Sequence, residues 1–182
     1  YTTLQVEYAD SASSYLRQFY VDTLDPDLHV EPAAREILEN ILETLRTGSL
    51  RTAMKELDKL VMDYPDYYAA YMLQAETAKG LSDDEKVLLA YRTAARIRPD
   101  RPEPLFRLSQ FHYARGQFNE AGAACIDAIL LYPEASYMHF LQRIAQKTGK
   151  PYNTQWIRRE VYPLSTTANF FERTAKQKTP WW

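Results

Sequence analysis

Three prolines, Pro65, Pro99 and Pro133, stand 34 residues apart in this 182-residue chain, and each follows an apolar run with helical spacing. A proline stops a helix because it lacks an N–H and its ring clashes with the preceding turn. A stop that recurs at one interval implies a structural unit of that length. Counting units from residue 34 puts other residues in register. Gly48 and Gly116 fall at position 15, and Ala53, Val87 and Ala121 at position 20. Leu57, Tyr91 and Cys125 fall at position 24, and Leu60, Ala94 and Ala128 at position 27. Thirty-four residues accommodate two antiparallel helices and a tight return. A small residue at position 20 lets the second helix cross close to the first. The apolar residue four places on shares its face, because i and i+4 lie one above the other on a helix.

The turns supply a second pattern. Glycine takes the left-handed conformation that ends a helix at little steric cost, so Gly48, Gly80, Gly116 and Gly149 are each expected to end a first helix. Gly80 comes two places early, which predicts a shortened helix there. Gly122 alone falls inside a predicted helix and reads as a point of close packing. Ser82 and Glu85 have the spacing of a capping box for the next helix. Pro102 and Pro104 are tolerated in the first turn of another.

Together the 34-residue period, the small residue at position 20 and the closing proline resemble the tetratricopeptide repeat. The resemblance covers residues 34–135. The third unit fits best, with Leu105, Leu108, Gly116, Phe118, Ala121 and Ala128. The first departs from the pattern with Ile37, Ile41 and Leu45 at positions 4, 8 and 12, and the second with Gln74 and Ala78 at positions 7 and 11. The implied fold is an all-α, tetratricopeptide-like helical-hairpin solenoid. An N-terminal helix and linker occupy residues 1–33, three repeats residues 34–135, and a degenerate fourth repeat with a helical C-terminal cap residues 136–182. The N-terminal helix, capped at Asp10 or Ser11, carries Tyr15, Leu16, Phe19 and Tyr20 at helical spacing. A last helix with Phe170 and Phe171 is expected to cover the open end, as terminal repeats require.

The resemblance also implies where a ligand sits. First helices of such repeats line a concave face, to which positions 2, 5, 9, 12 and 13 point. Carried over, these positions give Met72 and Glu76 in the second unit, Phe106, Gln110 and Tyr113 in the third, and Tyr137 and Phe140 in the fourth. The Lys and Asn set that grips a C-terminal carboxylate in one groove type is missing, since position 5 carries Leu38, Met72 and Phe106. What remains is an apolar, aromatic groove suited to burying an extended or helical segment. The implied function is a non-catalytic scaffold that binds a protein or peptide partner. A secretion or assembly chaperone is an alternative, as is an accessory domain of a larger enzyme or envelope protein.

Catalytic chemistry has little to start from. His29, His112 and His139 show no metal-ligand spacing, and neither a phosphate-cradling glycine loop nor a nucleophile turn occurs. The single cysteine, Cys125, excludes an internal disulfide and occupies a core position of the repeat. No cofactor, no metal and no enzymatic activity are expected. Arg92, Arg96, Arg98 and Arg101 cluster, but residues 67–146 balance nine cations against nine carboxylates, so no nucleic-acid partner is expected. The lack of an apolar run near 18 residues argues against membrane insertion; a soluble chain is expected, with cytoplasm and periplasm both open. Charge is uneven: residues 1–66 carry 13 carboxylates and 6 cations, residues 147–182 carry 2 and 7. With Trp181 and Trp182 at its end, the basic tail is expected to pack on the body of its own chain or of a neighbouring copy, a route to self-association.

Overall fold

A computed structural model of the chain describes residues 31–149. All regular structure among them is helical: α1 (Pro32–Arg46), α2 (Leu50–Asp63), α3 (Tyr68–Gly80), α4 (Asp84–Ile97), α5 (Glu103–Ala114), α6 (Phe118–Leu131) and α7 (Ala135–Thr148). The helices anticipated near residues 10–21 and 166–177, and the terminal tryptophans, lie outside the described residues. The 34-residue period holds to the residue at the ends of the first helices and over the second helices. First helices end at Arg46, Gly80, Ala114 and Thr148, and second helices span Leu50–Asp63, Asp84–Ile97 and Phe118–Leu131. All of these stand 34 apart, whereas the starts of the first helices, Pro32, Tyr68, Glu103 and Ala135, do not.

Each stop is built alike. Before the closing prolines, Tyr64, Arg98 and Tyr132 leave the helix with φ of −131°, −124° and −152°. A residue preceding proline is pushed out of the helical region in this way. Their N–H groups still donate to the fourth carbonyl back, those of Leu60, Ala94 and Ala128.

The returns show how far backbone register overrides residue type. Gly48 and Gly116 are left-handed, with φ of 83° and 73°. The third left-handed residue is Ser82, φ 58°, at position 15 of the second unit. Gly80 is the last residue of α3 but not in a left-handed conformation, and α3, with 13 residues, is one residue shorter than α2 and α4. At all three returns the next residue closes the helix with the same six-residue loop: Ser49, Asp83 and Gln117 donate to the carbonyls of Thr44, Ala78 and His112. Ser82 therefore cannot cap α4. That role falls to Asp83, whose Oδ1 accepts from the Lys86 N–H at 3.1 Å.

The described helices fall into two compact units, divided between Arg98 and Pro99. In the first, α1 to α4 pack each on the next. Ala53, Leu57, Leu60, Val87, Tyr91 and Ala94, the residues at positions 20, 24 and 27, are all essentially inaccessible. Leu38, Ile41 and Leu45 of α1 form one core with Ala53, Leu57 and Leu60. Each fully buried leucine or isoleucine contributes about 1.5–3 kcal/mol through removal of apolar surface from water. Asp58 of α2 ties three helices. It accepts from Gln74 Nε2 of α3 at 2.8 Å, and its two carboxylate oxygens accept from Lys86 Nζ of α4 at 3.0 and 2.8 Å.

In the second unit α5 packs on α6 and α6 on α7. Ala121, Cys125, Ala128 and Ile129 of α6 form its core with Met138, Leu141 and Ile144 of α7. The close crossing expected at position 20 is present. Ala121 and Gly122 are buried, and Ser109 Oγ of α5 donates to the Ala121 carbonyl at 2.6 Å. α7 ends in a left-handed Gly149, φ 65°.

Candidate functional site

Five of the seven residues expected to line a groove belong to one face of the second unit. Phe106, Gln110 and Tyr113 lie on α5 at spacing i, i+4, i+7, and Tyr137 and Phe140 on α7 at i, i+3, so each set shares a helix face. The rings meet. Phe106 lies 4.2 Å from Tyr137 and 5.4 Å edge-on from Phe140, and Tyr113 lies 5.2 Å from Phe140. Phe118, at the start of α6, stands edge-on to Tyr113 at 5.4 Å and extends the cluster. These are the offset and edge-to-face arrangements that aromatic quadrupoles prefer. Tyr137 and Phe140 are buried, while Phe106, Gln110 and Tyr113 are half-buried. The α7 rings thus form a floor, and the α5 rings stand on it with part of their surface in water.

A cation sits at the edge of this cluster. The exposed Arg143 guanidinium lies 5.5 Å from the Tyr113 ring and 5.6 Å from that of Phe140, within range of the ring quadrupoles. Sequence reasoning missed this residue because it falls at position 8, which usually packs. Its spacing of i+3 from Phe140 was the available signal. Gln110 Oε1 accepts from Arg107 at 3.3 Å.

Met72 and Glu76 are placed differently. Both belong to α3, in the first unit, where every residue from Tyr68 to Ala78 except Tyr71 is buried. Met72 is wholly inaccessible, and Glu76 is 7% exposed. Glu76 accepts a short hydrogen bond from the Tyr91 hydroxyl of α4 and pairs with Lys79 Nζ at 2.7 Å. Polar neighbours in α3 are satisfied in the same manner: Gln74 by Asp58, and Thr77 by donating to the Leu73 carbonyl at 2.8 Å.

Solved structures of similar fold include two of MamA. MamA AMB-1 superimposes with a TM-score of 0.58 at 16% identity, over 92% of this chain and 96% of that one. MamA MSR-1 gives 0.55 at 18% identity, over 94% and 98%. The chain has this all-α fold of repeated hairpins. No protein-family model matches the sequence, and no curated protein is significantly similar to it.

Catalytic candidates remain scattered. Among the described residues, no three His, Cys, Asp or Glu side chains group so as to hold a metal ion. His112 Nδ1 is 2.7 Å from Gln117 Oε1 across the α5–α6 return, a local contact. The Cys125 thiol is fully buried and lies 3.3 Å from the Tyr137 carbonyl. Burial pushes it up to about 12, the Ser109 hydroxyl opposing this only in part, so thiolate chemistry is suppressed. No described helix is long and apolar enough to cross a membrane.

Proposed function

We propose that the chain is a non-catalytic scaffold of the tetratricopeptide type that binds a segment of another protein on the face shared by α5 and α7. The contact set is Phe106, Gln110, Tyr113, Tyr137 and Phe140, with Arg143 added. Met72 and Glu76 lie beneath the surface of α3 and outside it. The supporting observation is the ring cluster itself, in which aromatic surface is held rigid from below and left partly in water. Such pre-positioned rings lose little side-chain entropy on binding, which is why buried aromatic anchors dominate interface energetics. Arg107, Arg143 and Lys147 outnumber the one carboxylate of these two helices, Glu103. The favoured ligand is a segment with an aromatic or aliphatic anchor and acidic flanks.

Peptides selected from a displayed random library against the immobilised full chain test this reading. Enriched sequences are expected to carry a large apolar residue beside Asp or Glu. Phe106→Ala is expected to weaken them at least tenfold, and Arg143→Glu to weaken those with acidic flanks. Selected peptides indifferent to both substitutions would overturn the assignment.

A further inference from the structure

The outward faces of α2 and α4 carry a pattern that the proposed function does not use. On α2, Arg51, Lys55, Lys59 and Met62 are exposed at i, i+4, i+8 and i+11, one stripe along the helix. On α4, Leu89, Arg92 and Arg96 are exposed at i, i+3 and i+7. Counted in the repeat, the first stripe takes positions 18, 22, 26 and 29, and the second 22, 25 and 29. Equivalent positions of successive hairpins face the same way, so both stripes lie on one side of the first unit.

Met62 is 80% exposed and Leu89 67%, the highest values for large hydrophobic side chains among the described residues. Both stand beside cations, Met62 three residues after Lys59 and Leu89 three before Arg92. None of the five cations makes an ion pair among the described residues, although Arg46, Lys79 and Lys86 each meet a carboxylate. The exposed carboxylates of the two helices, Asp63, Asp84 and Glu85, sit at helix ends. Glu56 is engaged from α1 by the Thr44 hydroxyl, which donates to it at 3.3 Å. The pattern is not a property of the repeat. At positions 22, 26 and 29 α6 has Ala123, Asp127 and Leu130, and the whole helix carries no Lys or Arg. Cations alone would suit any polyanion, but solvated apolar side chains among them gain nothing from a phosphate backbone. No aromatic ring stands in either stripe to stack on a base or anchor a protein pocket. Both kinds of side chain gain where phosphate overlies hydrocarbon, Lys and Arg staying at the headgroups while Met and Leu enter the acyl boundary.

We propose that this side of the first unit docks reversibly on the surface of a bilayer rich in anionic lipid. Arg51, Lys55, Lys59, Arg92 and Arg96 lie against the headgroups, and Met62 and Leu89 enter the boundary beneath them. The contact is with the surface alone, and no described helix crosses it. Each cation held at such a surface is worth about fivefold in affinity.

The test uses the full chain and flotation with vesicles of phosphatidylcholine, alone or with about 30% phosphatidylglycerol. Binding to the anionic vesicles is expected to be at least about tenfold tighter, with the advantage shrinking as salt rises. Lys55→Glu combined with Arg92→Glu, both at exposed positions, is expected to weaken binding at least about tenfold with an unchanged thermal melt. Met62→Ser combined with Leu89→Ser is expected to weaken vesicle binding severalfold, again without moving the melt. Phe106→Ala is expected to leave binding unaltered, which separates this surface from the α5–α7 face. Equal flotation with the two kinds of vesicle, none at all included, overturns the proposal. So does binding that survives Lys55→Glu with Arg92→Glu, because the contact then lies elsewhere on the chain. A Met62→Ser, Leu89→Ser chain that binds anionic vesicles as tightly as the parent overturns it too, because charge alone then suffices and a nucleic acid would serve as well as a bilayer.

Discussion

α3 and α5 occupy the same place in successive repeats and share a backbone, yet they meet water in opposite ways. At position 5, Met72 is fully buried and Phe106 half-buried. At position 9, Glu76 is buried and Gln110 half-buried. The two hairpins also differ at position 24 of the helix that follows. Tyr91 extends its hydroxyl to Glu76 and holds that carboxylate inside. Cys125, at the same position, is too short for this and reaches the Tyr137 carbonyl instead. Gln110, with no hydroxyl beneath it, turns to Arg107 at the surface. The backbone thus repeats from one hairpin to the next, while the exposure and the hydrogen bonds of its first helix do not.

The sharpest way to break this comparison is at the crossing the two hairpins share. Ala121 is fully buried where α6 crosses α5, and Ser109 already donates to its carbonyl. Ala121→Leu is expected to cost roughly 1–3 kcal/mol through overpacking. Ala123→Leu, on the exposed side of α6, is expected to change stability by less than about 0.5 kcal/mol. Denaturant midpoints that move equally in the two variants would mean that position 20 is not the tight point of the hairpin.

Position 24 offers the next test. The Cys125 thiol is pushed up to about 12 from an ordinary 9.0, mainly by burial. A folded-state value raised above the unfolded one gives stability that is complete below about pH 9 and lost as pH climbs toward 12. Against Cys125→Ala, the wild-type chain is therefore expected to lose up to about 1.4 kcal/mol per pH unit across that window. Parallel pH profiles for the two proteins would show that the thiol is not sealed. On the other hairpin, Tyr91→Phe removes the hydroxyl that Glu76 accepts from and is expected to cost about 1 kcal/mol, the net worth of a buried hydrogen bond. If that variant is as stable as the parent, Lys79 alone suffices to hold Glu76.

Much of this was legible in the sequence. Pro65, Pro99 and Pro133 gave the period, because a proline's effect on a helix is local and depends on no partner. Ala53, Val87 and Ala121 gave the crossing, because only a small residue fits there. What was illegible depends on several residues at once. Gly80 is the end of α3 that the sequence suggested, but it is not the left-handed residue, because the hairpin's length places that turn at residue 82. The shift moved the α4 cap from Ser82 to Asp83. Likewise, helical phase gives the direction in which Met72 and Glu76 point along α3 but not what covers them. The α5–α7 rings were legible as a set because aromatic residues recur on both helices at matching spacing, whereas Arg143 sits between those positions.

The smallest effect isolates that backbone rule. Ser82 is an L-residue held at φ 58° where the other two returns use glycine. The left-handed conformation costs an L-residue about 1–2 kcal/mol. Glycine escapes that cost but loses more freedom on folding, about 0.4–1 kcal/mol. Ser82→Gly is therefore expected to stabilise the chain by about 0.5 kcal/mol. Gly116 gives the reciprocal. A Cβ built there meets nothing within 4 Å, so Gly116→Ser introduces backbone strain without a clash and is expected to destabilise by a similar amount. Urea midpoints that shift in opposite directions by comparable amounts would establish that position 15 is left-handed by register. If Ser82→Gly destabilises instead, the serine hydroxyl contributes to its turn, and the three returns are alike in shape but held by different interactions.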